Sequence, residues 1–186
     1  MQAAVKPKMR TVDMAYIALF AVVMAVCAWI TIPIPKPFVQ FTLQTFAVFM
    51  ALITLGGRRG LYVTVVYLLM GAVGVPVFSG FRGGLSVLLD TTGGYIIGFV
   101  ASALVYWLVT SRLGESLPVV IAACVLGLVL CYAFGTAWFM VVYAKNTGAI
   151  GLMTALGWCV IPYIVPDLVK IALAIGVTRV LKRHVK

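Results

Sequence analysis

Long apolar runs alternate with short polar or glycine-rich connections along this chain, and the lengths of the runs set the scale of its elements. Met14 to Ile34 carries no charge and stops at the Pro33 and Pro35 pair. Thr42 to Leu55, Leu61 to Val75, Gly93 to Thr110, Pro118 to Tyr143 and Ile161 to Leu181 follow. A helix needs about 20 apolar residues to cross a hydrocarbon core roughly 30 Å thick. The runs therefore predict an all-α polytopic membrane protein with six transmembrane helices in a single domain, 1–186. The second and third runs are short, and are expected to tilt or to be completed by ordered loop.

Composition sharpens this picture. Of 186 residues, 64% are hydrophobic and 10% charged, where soluble domains carry about a quarter charged. A mean hydropathy of +1.17 leaves too little polar surface to face water. A soluble enzyme, a nucleic-acid binder and a disordered tail are excluded. The net charge of +10 comes from basic residues clustered between apolar runs, the pattern of a bilayer protein. Lys6, Lys8, Arg10, Arg58, Arg59, Arg112, Arg179, Lys182, Arg183 and Lys186 fall on one side; Lys36, Arg82 and Lys145 fall on the other. The positive-inside bias places both termini in the cytoplasm of a plasma-membrane protein. Met24 to Ala28 after a basic segment mimics a signal sequence, but the long apolar stretch and five further runs argue against cleavage.

The inner connections, Gly56 to Gly60 and Ser111 to Leu117, are tight. Two outer ones, Pro76 to Thr92 and Ala144 to Val160, are long, glycine-rich and too apolar for disorder. They are expected to fold back over the bundle, so function is sought on the outer face. The acids are only Asp13, Asp90, Glu115 and Asp167, and the one histidine, His184, sits in the basic tail. Neither a metal-ligand cluster nor a P-loop occurs. Cys27, Cys124, Cys131 and Cys159 lack C-x-x-C spacing and read as small apolar packing residues. Recognition without a cofactor or metal fits this inventory better than catalysis.

Four features stand out. Asp167 and Lys170 share one face of the last helix, and a charge at mid-membrane costs roughly 2.5 to 3.5 kcal/mol. They form either a structural ion pair or a grip on a polar ligand group. With Pro162 and Pro166 just before, the helix is expected to start afresh near Asp167. The second feature is Gln40 to Thr45: Thr42 and Thr45 either cap a helix or face a cavity, and Gln44 offers a donor and an acceptor together. The third comprises Gly71 to Gly84 and Thr91 to Phe99, whose glycines allow close approach. Here Ser79, Arg82, Asp90 and Tyr95 are candidate ligand contacts, Arg82 and Asp90 equally solvated charges, and Tyr95 equally an interfacial anchor; Gly94 and Gly98 read as a helix-packing motif. The fourth is the stripe Ala15, Ala18, Ala21, Ala25 and Ala28 on the first helix, which serves either internal packing or docking of another membrane protein.

Taken in this order, Thr42-Leu43-Gln44-Thr45, Gly74 to Phe78, Gly83-Gly84, Thr92 to Tyr95 with Gly98-Phe99, and Asp167 with Lys170 resemble the biotin-specific S components of energy-coupling-factor transporters, the BioY family. The likeness covers nearly the whole chain. It implies six helices, an outward pocket for biotin beneath a long loop, a membrane scaffold (T) subunit and a pair of ATPase (A) subunits. It further implies scaffold docking on Ala18, Ala21, Ala25 and Ala28, with Asp167 and Lys170 recognising the ureido ring. Arg82, Ser79 and Tyr95 are candidates for the valerate carboxylate. The chain departs from the family pattern at Asp90-Thr91-Thr92, in place of Gly-Pro-Thr, and at Pro166, where glycine is common. The rival readings are an S component for another vitamin, a stand-alone carrier, and a small lipid-modifying transferase, for which the cytoplasmic acids Asp13 and Glu115 are too few.

Overall fold

The computed structural model of the chain describes residues 10–32, 34–35 and 38–184. Lys6, Lys8, Pro33, Lys36 and Lys186, used above to read orientation and the first helix end, lie outside them. The described residues form eight helices and one small hairpin: α1 (Thr11–Trp29), β1 (Thr31–Ile32), β2 (Phe41–Thr42), α2 (Gln44–Leu55), α3 (Gly57–Ala72), α4 (Leu85–Leu89), α5 (Gly93–Leu113), α6 (Leu117–Asn146), α7 (Leu152–Cys159) and α8 (Ile161–His184). Each of the six long helices falls on one of the six apolar runs, with ends displaced by up to five residues. By length and composition α1, α5 and α6 are each able to cross a bilayer, and α7 with α8, bent by 41° at their junction, makes a fourth candidate.

Helix α2 is the centre of the bundle. Its 12 residues reach only about 18 Å at the usual rise, and every residue from Ala47 to Ile53 is buried. A helix apolar all round needs apolar neighbours on every side, and α1, α3, α5 and α8 supply them. The hairpin extends its path: Thr31 pairs with Thr42 and Ile32 with Phe41 in antiparallel register. Non-helical backbone at this depth is tolerated where protein covers it and satisfies its polar groups.

Specific contacts assign the ends of the helices. Asp13 at the start of α1 pairs with Arg59 at 3.0 Å, and Thr54 of α2 bonds Thr178 of α8 at 3.0 Å. One end of the bundle thus gathers the tight turns. At the other, the Trp29 indole donates to the Pro76 carbonyl at 2.9 Å, and the Trp138 indole to the Asp90 carbonyl at 3.1 Å. That end gathers the hairpin, the 73–84 segment, α4 and α7. The two long outer connections do fold back: Val77, Phe78, Val87 and Leu88 are buried in the first and Ala155 and Cys159 in the second, although Leu85 and Leu152 are exposed. Gly71 makes room for this, since a Cβ there would fall inside the Phe78 ring. Gly94 and Gly98 behave as a packing motif: Trp138 of α6 stands where a Gly94 Cβ would be, and Cys131 of α6 lies only 3.0 Å from where a Gly98 Cβ would be.

Three expectations need correction. Helix α1 ends at Trp29 rather than Ile34, and the chain turns into β1. Helix α8 does not restart at Asp167; it runs unbroken from Ile161 with Pro166 inside it. Pro166 lies one turn beyond the helix start, so its missing N–H forfeits a single bond. The bend falls at Val160, and the helix dipole lends Asp167 nothing. Finally, Ala21, Ala25 and Ala28 are 0, 4 and 0% exposed, on the face of α1 that packs on α2 and α3. The bundle itself covers them, so they present no docking surface. Ala15 and Ala18 point outward.

Candidate functional site

Beneath the hairpin and the 73–84 segment lies a cavity whose space, open mouth included, is about 840 Å³. Phe49 of α2, Ile96 and Phe99 of α5 and Leu128 of α6 form its apolar wall, with Phe78 reaching in from the segment above. Asp167 and Lys170 enter from α8, and both are buried.

The two charges pair at 2.8 Å, and each has further partners. Tyr132 of α6 donates to Asp167 Oδ2 at 2.5 Å. Lys170 Nζ donates to the Thr42 carbonyl at 2.7 Å and sits 4.0 Å from the centre of the Phe41 ring. A buried pair is tolerable only when hydrogen bonds satisfy its remaining atoms, and these meet that condition. They also leave capacity over. An ammonium has three donors and a carboxylate about four acceptor sites; two donors and two acceptor sites are in use. The spare donor and acceptors belong to side chains lining one cavity.

Polar chains tie the cavity lining to the covering segments. Gln44 donates through Nε2 to the Tyr67 hydroxyl at 2.5 Å, which donates to the Val77 carbonyl at 2.9 Å. Ser79 donates to Gln40 Oε1 at 2.7 Å and shares a 3.0 Å bond with Thr31. Tyr163 of α8 donates to the Val39 carbonyl. The Thr42 hydroxyl accepts from the Gln44 N–H at 3.3 Å, a local turn bond rather than a cap at the helix boundary residue.

Of the candidate contacts, Asp167, Lys170, Gln44, Thr42, Ser79, Arg82 and Tyr95 all line the cavity. Tyr95 is no interfacial anchor: it is buried and bonds Thr136 at 2.9 Å. Asp90 is the exception. It lies outside the lining, at 3.6 Å from Arg82, and accepts from the Thr91 N–H at 2.7 Å. Arg82, exposed at the mouth, also donates to the Ser79 carbonyl at 3.2 Å. Cys131 and Cys159 are free, buried and part of the lining. Sequence reasoning missed Tyr132 and Tyr163. The signal was present in Tyr132, a hydroxyl amid an apolar run that must find a partner when buried.

The family described as the BioY family matches residues 1–186. The chain is 36% identical over 165 residues to the biotin transporter BioY of Thermotoga maritima, covering 89% of this chain and 92% of that protein. It is 35% identical over 167 residues to the probable biotin transporter BioY of Pyrococcus horikoshii, covering 90% and 94%. Among solved structures, the S-component for biotin from an ECF-type ABC transporter superposes with a TM-score of 0.82 at 22% identity, covering 97% of this chain and 95% of that one. That likeness concerns the fold, and the S component of a bacterial ECF transporter shares it more loosely, at a TM-score of 0.50. Matched along its full length, the chain belongs to the BioY family.

Proposed function

We propose that the chain captures biotin as the substrate-binding S component of an energy-coupling-factor transporter, as a six-span plasma-membrane protein with both termini in the cytoplasm. The basic residues support this orientation: Arg58, Arg59 and Arg112 collect at the tight-turn end, opposite the cavity mouth. The chain has no nucleotide-binding motif, so energy comes from a pair of ATPase subunits acting through a membrane scaffold subunit. No cofactor of its own is needed. Ala18, outward on α1, remains the candidate point of scaffold contact.

One observation carries the reading: Asp167 and Lys170, paired at 2.8 Å, keep acceptor and donor capacity in the cavity wall. Biotin's ureido ring offers two N–H donors and one carbonyl acceptor side by side. Asp167 accepts from the ring, and the spare Lys170 donor meets its carbonyl. The apolar wall takes the fused ring and the valeryl chain. At the mouth, Arg82 and Ser79 receive the carboxylate. A buried site built for such bonds rejects analogues lacking them by about 10⁴-fold or more. Isothermal titration of the purified chain with biotin and a panel of other vitamins tests this. Selective biotin binding that weakens in Asp167→Asn is the expected outcome; equal binding in that variant removes the assignment.

A further inference from the structure

The tight-turn end holds a second cavity, also of about 840 Å³ with its mouth, between the α2–α3 turn and the α5–α6 turn. Its lining is rich in charge: Asp13, Arg58, Arg59 and Glu115, with Tyr62 and Trp107 beside them. Asp13 and Arg59 neutralise each other at 3.0 Å. Arg58 and Glu115 make no ion pair among the described residues. The Arg58 side chain rests on the tyrosine one turn on, its Nε at 3.4 Å from the Tyr62 hydroxyl and its guanidinium 6.0 Å from the ring centre. The cavity therefore presents one available cation and one available anion.

The cavity opens beside an apolar track. Leu104, Trp107 and Leu108 are exposed on α5, and their spacing places them on the helix face that leads from the cavity toward mid-bundle. Helix α5 is itself long and apolar enough to cross a bilayer. A groove with mixed charge at the end of a span, continued by an apolar strip, fits an amphiphile whose head carries both signs. The geometry points to a binding site for a phosphatidylethanolamine: phosphate on Arg58, ammonium on Glu115, and an acyl chain along Leu104, Trp107 and Leu108. Arg58 forms charge-assisted bonds with phosphate oxygens. Glu115 needs a donor, which a primary ammonium has and a trimethylated one lacks. A purely anionic head would leave Glu115 facing like charge. The inference rests on the membrane-spanning reading of α5 and is independent of biotin recognition.

Native mass spectrometry of the detergent-purified full chain tests it, using phosphatidylethanolamine, phosphatidylcholine and phosphatidylglycerol of matched acyl chains, and free phosphoethanolamine. Phosphatidylethanolamine is retained about tenfold more tightly than the other two lipids, and Arg58→Gln and Glu115→Gln each weaken that retention by about tenfold. Biotin titration of the same variants is unchanged, which separates this site from the cavity at the other end and confirms folded protein. Equal retention of the three lipids overturns the inference, as does unaltered retention in both variants. Displacement of the lipid by free phosphoethanolamine overturns it in favour of a soluble ligand. Variants that keep the lipid but lose a co-expressed scaffold subunit overturn it in favour of a protein contact.

Discussion

Replacing Lys170 by methionine separates what the buried pair does for the fold from what it does for the ligand. Methionine keeps length and apolar bulk but removes the ammonium. The side chain loses its bonds to Asp167 at 2.8 Å and to the Thr42 carbonyl at 2.7 Å, and its place over Phe41 at 4.0 Å. Asp167 stays buried with Tyr132 as its one remaining side-chain partner among the described residues. Removing one member of a buried pair costs about 3 to 5 kcal/mol, because the other is left uncompensated. For a chain of this size that is a fall in Tm of about 6 to 20 °C. The double variant Asp167→Asn, Lys170→Met has no orphaned charge, and the side-chain amide that replaces the carboxylate still accepts from Tyr132. It recovers about 0.5 to 3 kcal/mol relative to the single variant, the range of coupling seen between contacting residues. Biotin binding does not return, because the thioether at position 170 has no donor for the ring carbonyl and the amide at position 167 no longer offers the carboxylate's two charged acceptor oxygens to the ring N–H groups. Thermal unfolding in detergent, with and without biotin, reads the first effect, and isothermal titration the second. A double variant as unstable as Lys170→Met, or one that binds biotin normally, refutes the reasoning.

Three other perturbations check neighbouring parts of the structure. Gly71→Ala drives a Cβ into the space of the Phe78 ring; overpacking of about 1 to 3 kcal/mol appears in thermal unfolding, together with weaker biotin binding, because Phe78 lines the cavity. Arg82→Gln lowers biotin affinity by about tenfold through loss of a charged hydrogen bond, whereas Asp90→Asn, outside the lining, lowers it less; titration of the two variants ranks them. Ala21→Leu destabilises the chain by about 1 to 3 kcal/mol, since Ala21 is fully buried. Ala18→Leu leaves unfolding unchanged, and co-purification with a scaffold subunit reads whether its outward face is the contact.

The six long helices were legible because each apolar run approaches the length its helix needs, although the ends of α1 and α3 fall three to five residues from the polar breaks that suggested them. The covering segments were legible in kind: residues such as Phe78 and Val87 are too apolar for an exposed loop. What periodicity does not reveal is which side of a helix faces which neighbour. The alanine stripe on α1 shows the limit. Small residues at spacings of three and four mark a close approach, but the spacing is the same whether the approaching backbone belongs to this chain or to another. Pro166 shows a second limit. A proline signals a helix boundary only when its lost bond is not outweighed by packing, and α8 is held against the buried α2 on the far side of it. Tyr132 was hidden because its partner lies 35 positions away in sequence.

The pair on α8 makes physical sense only together with the hairpin. A lysine buried at this depth needs acceptors, and one of them is the Thr42 carbonyl, a backbone group that hairpin geometry turns toward it. Phe41, adjacent in the same strand, supplies a ring face to the same ammonium. The covering element is therefore anchored by the same group that the proposed function assigns to the ligand. Tyr163, one helical turn before Asp167, ties α8 to Val39 at the base of the hairpin's return strand. A ligand carbonyl taking the spare Lys170 donor competes with none of these bonds, so the cover stays anchored when the site fills. Had the ammonium spent all its donors on protein, binding would have required a buried bond to break, at about 1 to 3 kcal/mol for each group left unsatisfied. In the proposed reading, the unspent donor lets one residue both hold the cover and read the ligand.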